Sequence, residues 1–143
     1  ALAAAVAALS PYRDGALLVM VAALAAGASD TVASEVGKAW GRRTFLFPSL
    51  RPVKPGTSGA VSLEGTAAGL VSALALSSLA TALGLITGNA LWFAAIGATF
   101  GAFVESGLGA TLEPGGILDN DMLNFINTGA AGAAAVALSW ISR

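Results

Sequence analysis

The run Gly15-Ala-Leu-Leu-Val-Met-Val-Ala-Ala-Leu-Ala-Ala-Gly-Ala-Ser-Asp-Thr-Val-Ala-Ser-Glu-Val36 decides the fold. It carries no charge before Asp30, and about 20 apolar helical residues suffice to cross the hydrocarbon of a bilayer. The segment therefore predicts a transmembrane helix that ends among acids and hydroxyls. Three further stretches have the required length: Gly59 to Ile86, Ala90 to Thr111 and Asp119 to Ile141. Ala1 to Leu9 is apolar but too short to span, and is expected to be the end of a longer helix. Polar turns separate these runs at Ser10 to Asp14, Thr87 to Asn89 and Glu113 to Leu118. Between the first and second spans, Pro48, Pro52 and Pro55 exclude a continuous helix from Lys38 to Pro55. The expected fold is an all-α integral membrane protein. It is a transmembrane helix bundle of about four full spans plus a partial N-terminal helix, forming one membrane-embedded domain over residues 1–143.

Composition supports a bilayer as the solvent, with 56% of residues apolar, 10% charged and a mean hydropathy of +0.79. Alanine and glycine dominate the apolar fraction, and small residues let helices approach closely in lipid. The net charge of -1 gives no reason to expect nucleic acid as a partner. With no cysteine, disulfides and thiolate chemistry are excluded, and with no histidine the usual general base and the commonest nitrogen ligand are absent. Any metal must be held by oxygen, which favours magnesium or another hard divalent ion. The chain opens in an apolar run without an initiating Met or a basic flank, so a secretory signal is not expected, whereas a processed or truncated N-terminus is.

Lys38, Arg42, Arg43, Arg51 and Lys54 lie in one loop and make up five of the seven basic residues. Short cytoplasmic loops are enriched in Lys and Arg, so this loop is expected in the cytoplasm. Counting spans from there places Asp30, Glu35, Glu64, Glu105, Asp119 and Asp121 toward the same side. Hydropathy alone does not require that convergence, and it points to one shared site.

Four local patterns carry the candidate chemistry. In Gly27-Ala-Ser-Asp-Thr-Val-Ala-Ser-Glu35, helical spacing pairs Asp30 with Ser34 and Thr31 with Glu35. Ionisable groups at membrane depth are costly and usually functional, although interfacial acids paired with loop arginines are the plainer reading. Lys54-Pro-Gly-Thr-Ser-Gly-Ala-Val-Ser-Leu-Glu-Gly65 is a glycine turn with a lysine just before it. Such a turn can offer backbone N–H groups and a helix N-terminus to phosphate, or serve only as an ordinary helix start; it lacks the Walker spacing. Glu105-Ser-Gly-Leu-Gly-Ala110 sets an acid among small residues, which also suits a packing face. Finally, Asn120, Asn124 and Asn127 follow the i, i+4, i+7 pattern of one helix face, with Asp119 placed to act as N-cap.

At these residues the chain resembles an integral membrane family that includes the plant and cyanobacterial phytyl-phosphate kinase of tocopherol synthesis. The matching motifs are Asp30 to Glu35, Pro55 to Gly65, Glu105 to Ala110 and Leu118 to Asp121, in the family's order, over roughly residues 20 to 143. Family members usually carry additional N-terminal spans, so the chain is expected to be the C-terminal part of a longer precursor. The resemblance implies a prenyl-phosphate kinase that transfers a phosphoryl group from CTP, or another nucleoside triphosphate, to phytyl phosphate. A lipid cytidylyltransferase is the alternative, and a transporter a more distant one. On this resemblance Asp30, Glu35, Glu105 and Asp119 hold Mg2+, directly or through water. Lys54, Arg51, Gly56, Thr57, Gly59 and Ser62 contact phosphates or nucleotide, and Asn120 and Asn124 orient substrate or metal-bound water. Asp30, Glu35, Lys54, Glu105, Asp119 and Asn120 form the implied catalytic set. The implied partners are a prenyl phosphate lipid, a nucleoside triphosphate and membrane lipids; a homodimer is compatible with the reading. The implied location is a bacterial or photosynthetic membrane, with the active site on the cytoplasmic side.

Overall fold

The computed structural model describes residues 2–9 and 11–142; Ala1 and Ser10, which bound the expected partial helix and first turn, lie outside the described residues. A short helix α1 (Leu2–Leu9) precedes four long ones: α2 (Arg13–Trp40), α3 (Leu63–Ala82), α4 (Gly88–Leu112) and α5 (Asn120–Ile141). Each of the four is long and apolar enough to cross a membrane. Helix α2 is central and packs against all the other helices, while α3 and α5 flank it and α4 closes the bundle.

The interior is built from small side chains. Ala22, Ala25, Ala26, Ala94, Ala98, Ala131 and Ala135 are buried, whereas Leu70, Val71, Leu79, Ile96, Phe100 and Phe125 are exposed. That arrangement inverts the pattern of a water-soluble bundle, and it follows from a solvent as apolar as leucine: close backbone approach, rather than removal of large residues from water, joins the helices. A methyl group placed on Gly65 would come within 2.5 Å of Ala33 O, and one on Gly69 within 2.9 Å of Ser29 Oγ, so α2 and α3 touch nearly backbone to backbone. Gly97 and Gly101 bring α4 onto α5 in the same way, at 2.5 Å from Ala131 O and Asn127 O respectively. Exposed tryptophans mark both ends of the bundle, Trp40 at one and Trp92 and Trp140 at the other, as expected of rings that favour the membrane interface.

The structure departs from the sequence-based expectation between the first two spans. Instead of a loop, residues 44–62 form a small antiparallel sheet of β1 (Thr44–Leu46), β2 (Arg51–Pro52) and β3 (Ala60–Ser62), in the order β2-β1-β3. Thr44, Phe45 and Leu46 pair with Ser62, Val61 and Ala60. No helix runs through the three prolines, as anticipated, although α2 already stops at Trp40 with Gly41 as its C-cap, and the segments around Phe45 and Val61 satisfy each other's backbone as strands. Two boundaries move as a result. Helix α2 runs on through Lys38 to Trp40, and α3 begins at Leu63 rather than near Gly59, with Ser62 as N-cap accepting from Gly65 N–H at 3.1 Å. At the other turn α4 begins at Gly88, so Asn89 is helical.

Candidate active site

The sheet, the C-terminal ends of α2 and α4, and the N-terminal ends of α3 and α5 all meet at one end of the bundle. They enclose a cavity of about 320 Å³. From α2 it receives Asp30, Ser34 and Lys38; from α4, Glu105 and Ser106; from the segment before β3, Pro55 to Gly59; and from the start of α5, Asn120.

Each wall has a local cause. Gly56 and Gly59 adopt φ of +84° and +73°, a left-handed conformation that glycine enters without the steric cost a Cβ would bring. At Gly59 a Cβ would also fall 2.5 Å from Ser106 O, so this glycine presses the turn directly onto α4. The turn is further tied down by Ser58, which donates to Glu113 just past the end of α4. Thr57 donates to Lys54 O through both its N–H, at 3.2 Å, and its hydroxyl, at 2.7 Å. Those two donors are committed to the turn itself. The glycine turn leads into β3, not straight into α3 as the sequence suggested; the first turn of α3, through Ser62, Gly65 and Thr66, and the start of α5, through Asn120, both still line the cavity.

Glu105 lies on the same four-residue stripe as Gly97, Gly101 and Gly109, all buried. The two glycines before it bring α5 so close that the fully buried Asn127 amide faces Glu105 across the interface, within interaction distance of its carboxylate. Glu105 Oε2 and both side-chain atoms of Asn127 lack partners among the described residues. Buried polar groups in native proteins are overwhelmingly hydrogen-bonded, which makes the Glu105 carboxylate and the Asn127 amide the polar pair to be accounted for on this wall. Asp30 stands on the facing helix, close enough to Glu105 for their charges to interact, and Lys38, about two turns further along α2, acts on Asp30.

The remaining expected site residues fall elsewhere. Glu35 is exposed and paired with Lys38, Nζ to Oε1 at 2.9 Å, on the outer side of α2. Asp119 is the N-cap of α5, accepting from Met122 N–H at 2.8 Å, and together with Asp121 lies on a shallow outer surface. Arg51, in edge strand β2, and Lys54 are exposed and do not line the cavity. Ser62 lines it while its hydroxyl caps α3, and Asn124 is partly buried without reaching it. Among the described residues no three acidic side chains converge on one metal-sized site. Asp30 and Glu105 are therefore brought together, whereas Glu35 and Asp119 are not.

The family profile described as integral membrane protein DUF92 matches residues 1–132. The chain belongs to this family. Similar DUF92 proteins include an uncharacterized membrane protein of Synechocystis sp., 43% identical over 129 residues, covering 90% of this chain and 50% of the relative. The chloroplastic protein VTE6 of Arabidopsis thaliana is 38% identical over 113 residues, covering 77% of this chain and 34% of the relative. An uncharacterized membrane protein of Methanocaldococcus jannaschii is 30% identical over 128 residues, covering 86% and 51%. The chain thus spans about half the length, or less, of these curated relatives. No solved structure matches it significantly.

Three cavity features of this DUF92 chain escaped the sequence reading. Lys38 looked like an orientation charge because proline placement hid the continuation of α2 beyond it. Glu113 looked like part of a loop, and its tie to Ser58 joins segments far apart in sequence. Asn127 was visible as the third member of the asparagine stripe, but only packing shows that it, and not Asn124, is fully buried and faces Glu105.

Proposed function

We propose that this chain carries the catalytic end of a prenyl-phosphate kinase, converting phytyl phosphate to phytyl diphosphate at the expense of CTP or another nucleoside triphosphate. One observation carries the proposal: a membrane-end cavity joins two acids from facing helices, Asp30 and Glu105, to a lysine and a glycine turn. The similarity to VTE6 and the motif resemblance to phytyl-phosphate kinase support the same reading. So does the position of the acids. All except Asp14 lie toward the sheet end of the bundle, whereas an ion pathway needs them through the membrane depth.

The donor set suits magnesium, which is commonly held by one or two carboxylates together with substrate phosphates and water. Asp30 and Glu105 would hold it, and the unpartnered Oε2 of Glu105 fits that role. When bound, the ion neutralises phosphate charge. The acceptor needs no general base, because a phosphate monoester with a second pKa near 6 is largely dianionic at neutral pH. Its oxygen forms the new bond to the γ-phosphorus as the bond from that phosphorus to the β-bridging oxygen breaks, and the nucleoside diphosphate leaves. What the chain supplies is position and charge, the main requirements of phosphoryl transfer. Lys38 offers a cation to the phosphates, and the turn from Pro55 to Gly59 limits how they can lie.

Purified protein in lipid, given Mg2+, CTP and phytyl phosphate, is expected to yield phytyl diphosphate and CDP. Pyrophosphate together with a cytidylyl-lipid would establish the cytidylyltransferase instead, and neither product would reject both.

A further inference from the structure

Seen along the bundle axis, two seams beside the cavity are closed by backbone contact. The α2–α3 seam is closed where Gly65 and Gly69 meet Ala33 and Ser29, and the α4–α5 seam where Gly101 meets Asn127. The seam between α3 and α4 is different. Its lining is Leu70 on α3 and Thr99, Ala102 and Phe103 on α4. Leu70 borders the cavity and is 44% exposed, and its neighbours Val71 on α3 and Phe100 on α4 are exposed without lining the cavity, so this part of the wall adjoins the lipid-facing surface.

The wall also changes character along this direction. Asp30, Lys38 and Glu105 stand at the inner and sheet-facing parts, whereas the seam presents carbon. Thr99 spends its hydroxyl on Ala95 O of its own helix, at 2.9 Å, and this leaves its methyl group as the apolar part of its side chain. Phe103 is held from outside the seam by Phe47, with ring centroids 5.3 Å apart and planes inclined by 48°. Phe47 in turn lies over Gly107, where an added methyl group would be 3.6 Å from the ring.

We propose that the α3–α4 seam, framed by Leu70 and Phe103, is where the hydrocarbon chain of a lipid phosphate passes from the polar cavity into the bilayer. This rests on the reading of the cavity as a lipid-phosphate site. A long isoprenoid or alkyl chain is strongly held in hydrocarbon, each methylene adding to that preference, so the phosphate must reach Asp30, Lys38 and Glu105 while the chain stays in lipid. A lateral apolar opening next to a charged cavity meets both demands. Phe103, fixed by Phe47, sets the width of the passage and hence the chain that it admits.

The test is photocrosslinking in lipid nanodiscs with a prenyl phosphate that carries a diazirine in mid-chain, followed by mass-spectrometric mapping. Adducts are expected on Leu70, Phe103 or Ala102, and phytyl phosphate should suppress them far better than phytol. Adducts confined to the outer face of α5, around Phe125, or equal competition by phytol, would overturn the proposal. Because labelling needs no turnover, seam adducts in a protein that makes no diphosphate would uphold the seam and reject the kinase, whereas diphosphate formation with adducts elsewhere would do the reverse. In an active preparation, Phe103→Trp should lower kcat/KM for the methyl-branched phytyl phosphate about tenfold relative to an unbranched hexadecyl phosphate. An unchanged ratio would remove Phe103 as the selecting residue.

Discussion

At the scale of single residues, position relative to the cavity separates charges that look equivalent in the sequence. Asp30 and Asp14 belong to the same helix but to opposite ends, and only Asp30 faces the cavity. Asp30→Asn, which preserves size and removes a charge, should cut turnover by about a hundredfold or more, the usual scale for losing one preorganised electrostatic partner. Asp14→Asn should leave it nearly unchanged. Comparable rates for the two variants in the diphosphate assay would sink the assignment of Asp30. Lys38 and Lys54 form a second pair. The ion pair of Lys38 with Glu35 is exposed, and such pairs contribute about 0–1 kcal/mol, so Lys38 can turn to phosphate at small cost. Lys38→Met should therefore weaken nucleotide binding by about ten- to hundredfold, as expected for losing one charge-assisted contact. Lys54→Met should bind almost normally. The opposite order in a nucleotide titration would show that the turn lysine carries the phosphates and that α2 does not.

At the scale of elements, the glycines that look alike in composition do different work. Gly69 lets α3 lie on α2, and Gly69→Val would force a branched side chain onto Ser29 and Ala33, at a cost of about 1–3 kcal/mol from overpacking. Gly59 combines a positive φ with direct contact on α4, so Gly59→Ala carries a backbone cost of about 1–2 kcal/mol and also displaces the turn from Ser106 and Ala110. Gly15, by contrast, has open space where a Cβ would stand. In thermal unfolding in detergent, Gly69→Val and Gly59→Ala should each melt below the parent, while Gly15→Ala should melt at or slightly above it, since alanine is the better helix former. An unaltered melting temperature in Gly69→Val would mean that α2 and α3 are not in backbone contact. Much of this was legible beforehand: the prolines marked the break after the first span, and Asp119 was a recognisable N-cap. The small sheet was not, because short strands depend on partners distant in sequence, and here β1 pairs with both β2 and β3.

At the scale of the whole molecule, charge sets orientation. The basic residues of the loop gather at the sheet end, and on the positive-inside preference we propose that this end, with the cavity, faces the cytoplasm. A chain without cysteine makes this simple to check. Expressed in a bacterium, Gly88→Cys should react with a membrane-impermeant maleimide in intact cells, and Ser49→Cys only after the membrane is opened. The reverse pattern would place the cavity outside. The membrane class, the four spans and the gathering of acids toward one face followed from the chain alone, because hydrophobic length and the spacing of charges along it are local quantities that a bilayer reads directly. Which of those acids meet was decided by tertiary structure. Asp30 and Glu105 face each other, whereas Glu35 and Asp119 turn outward, because rotation about each helix axis is set by the glycine and alanine contacts between neighbours. The proposed lateral passage at Leu70 and Phe103 belongs to the same scale, since only packing brings these residues of α3 and α4 to one cavity wall.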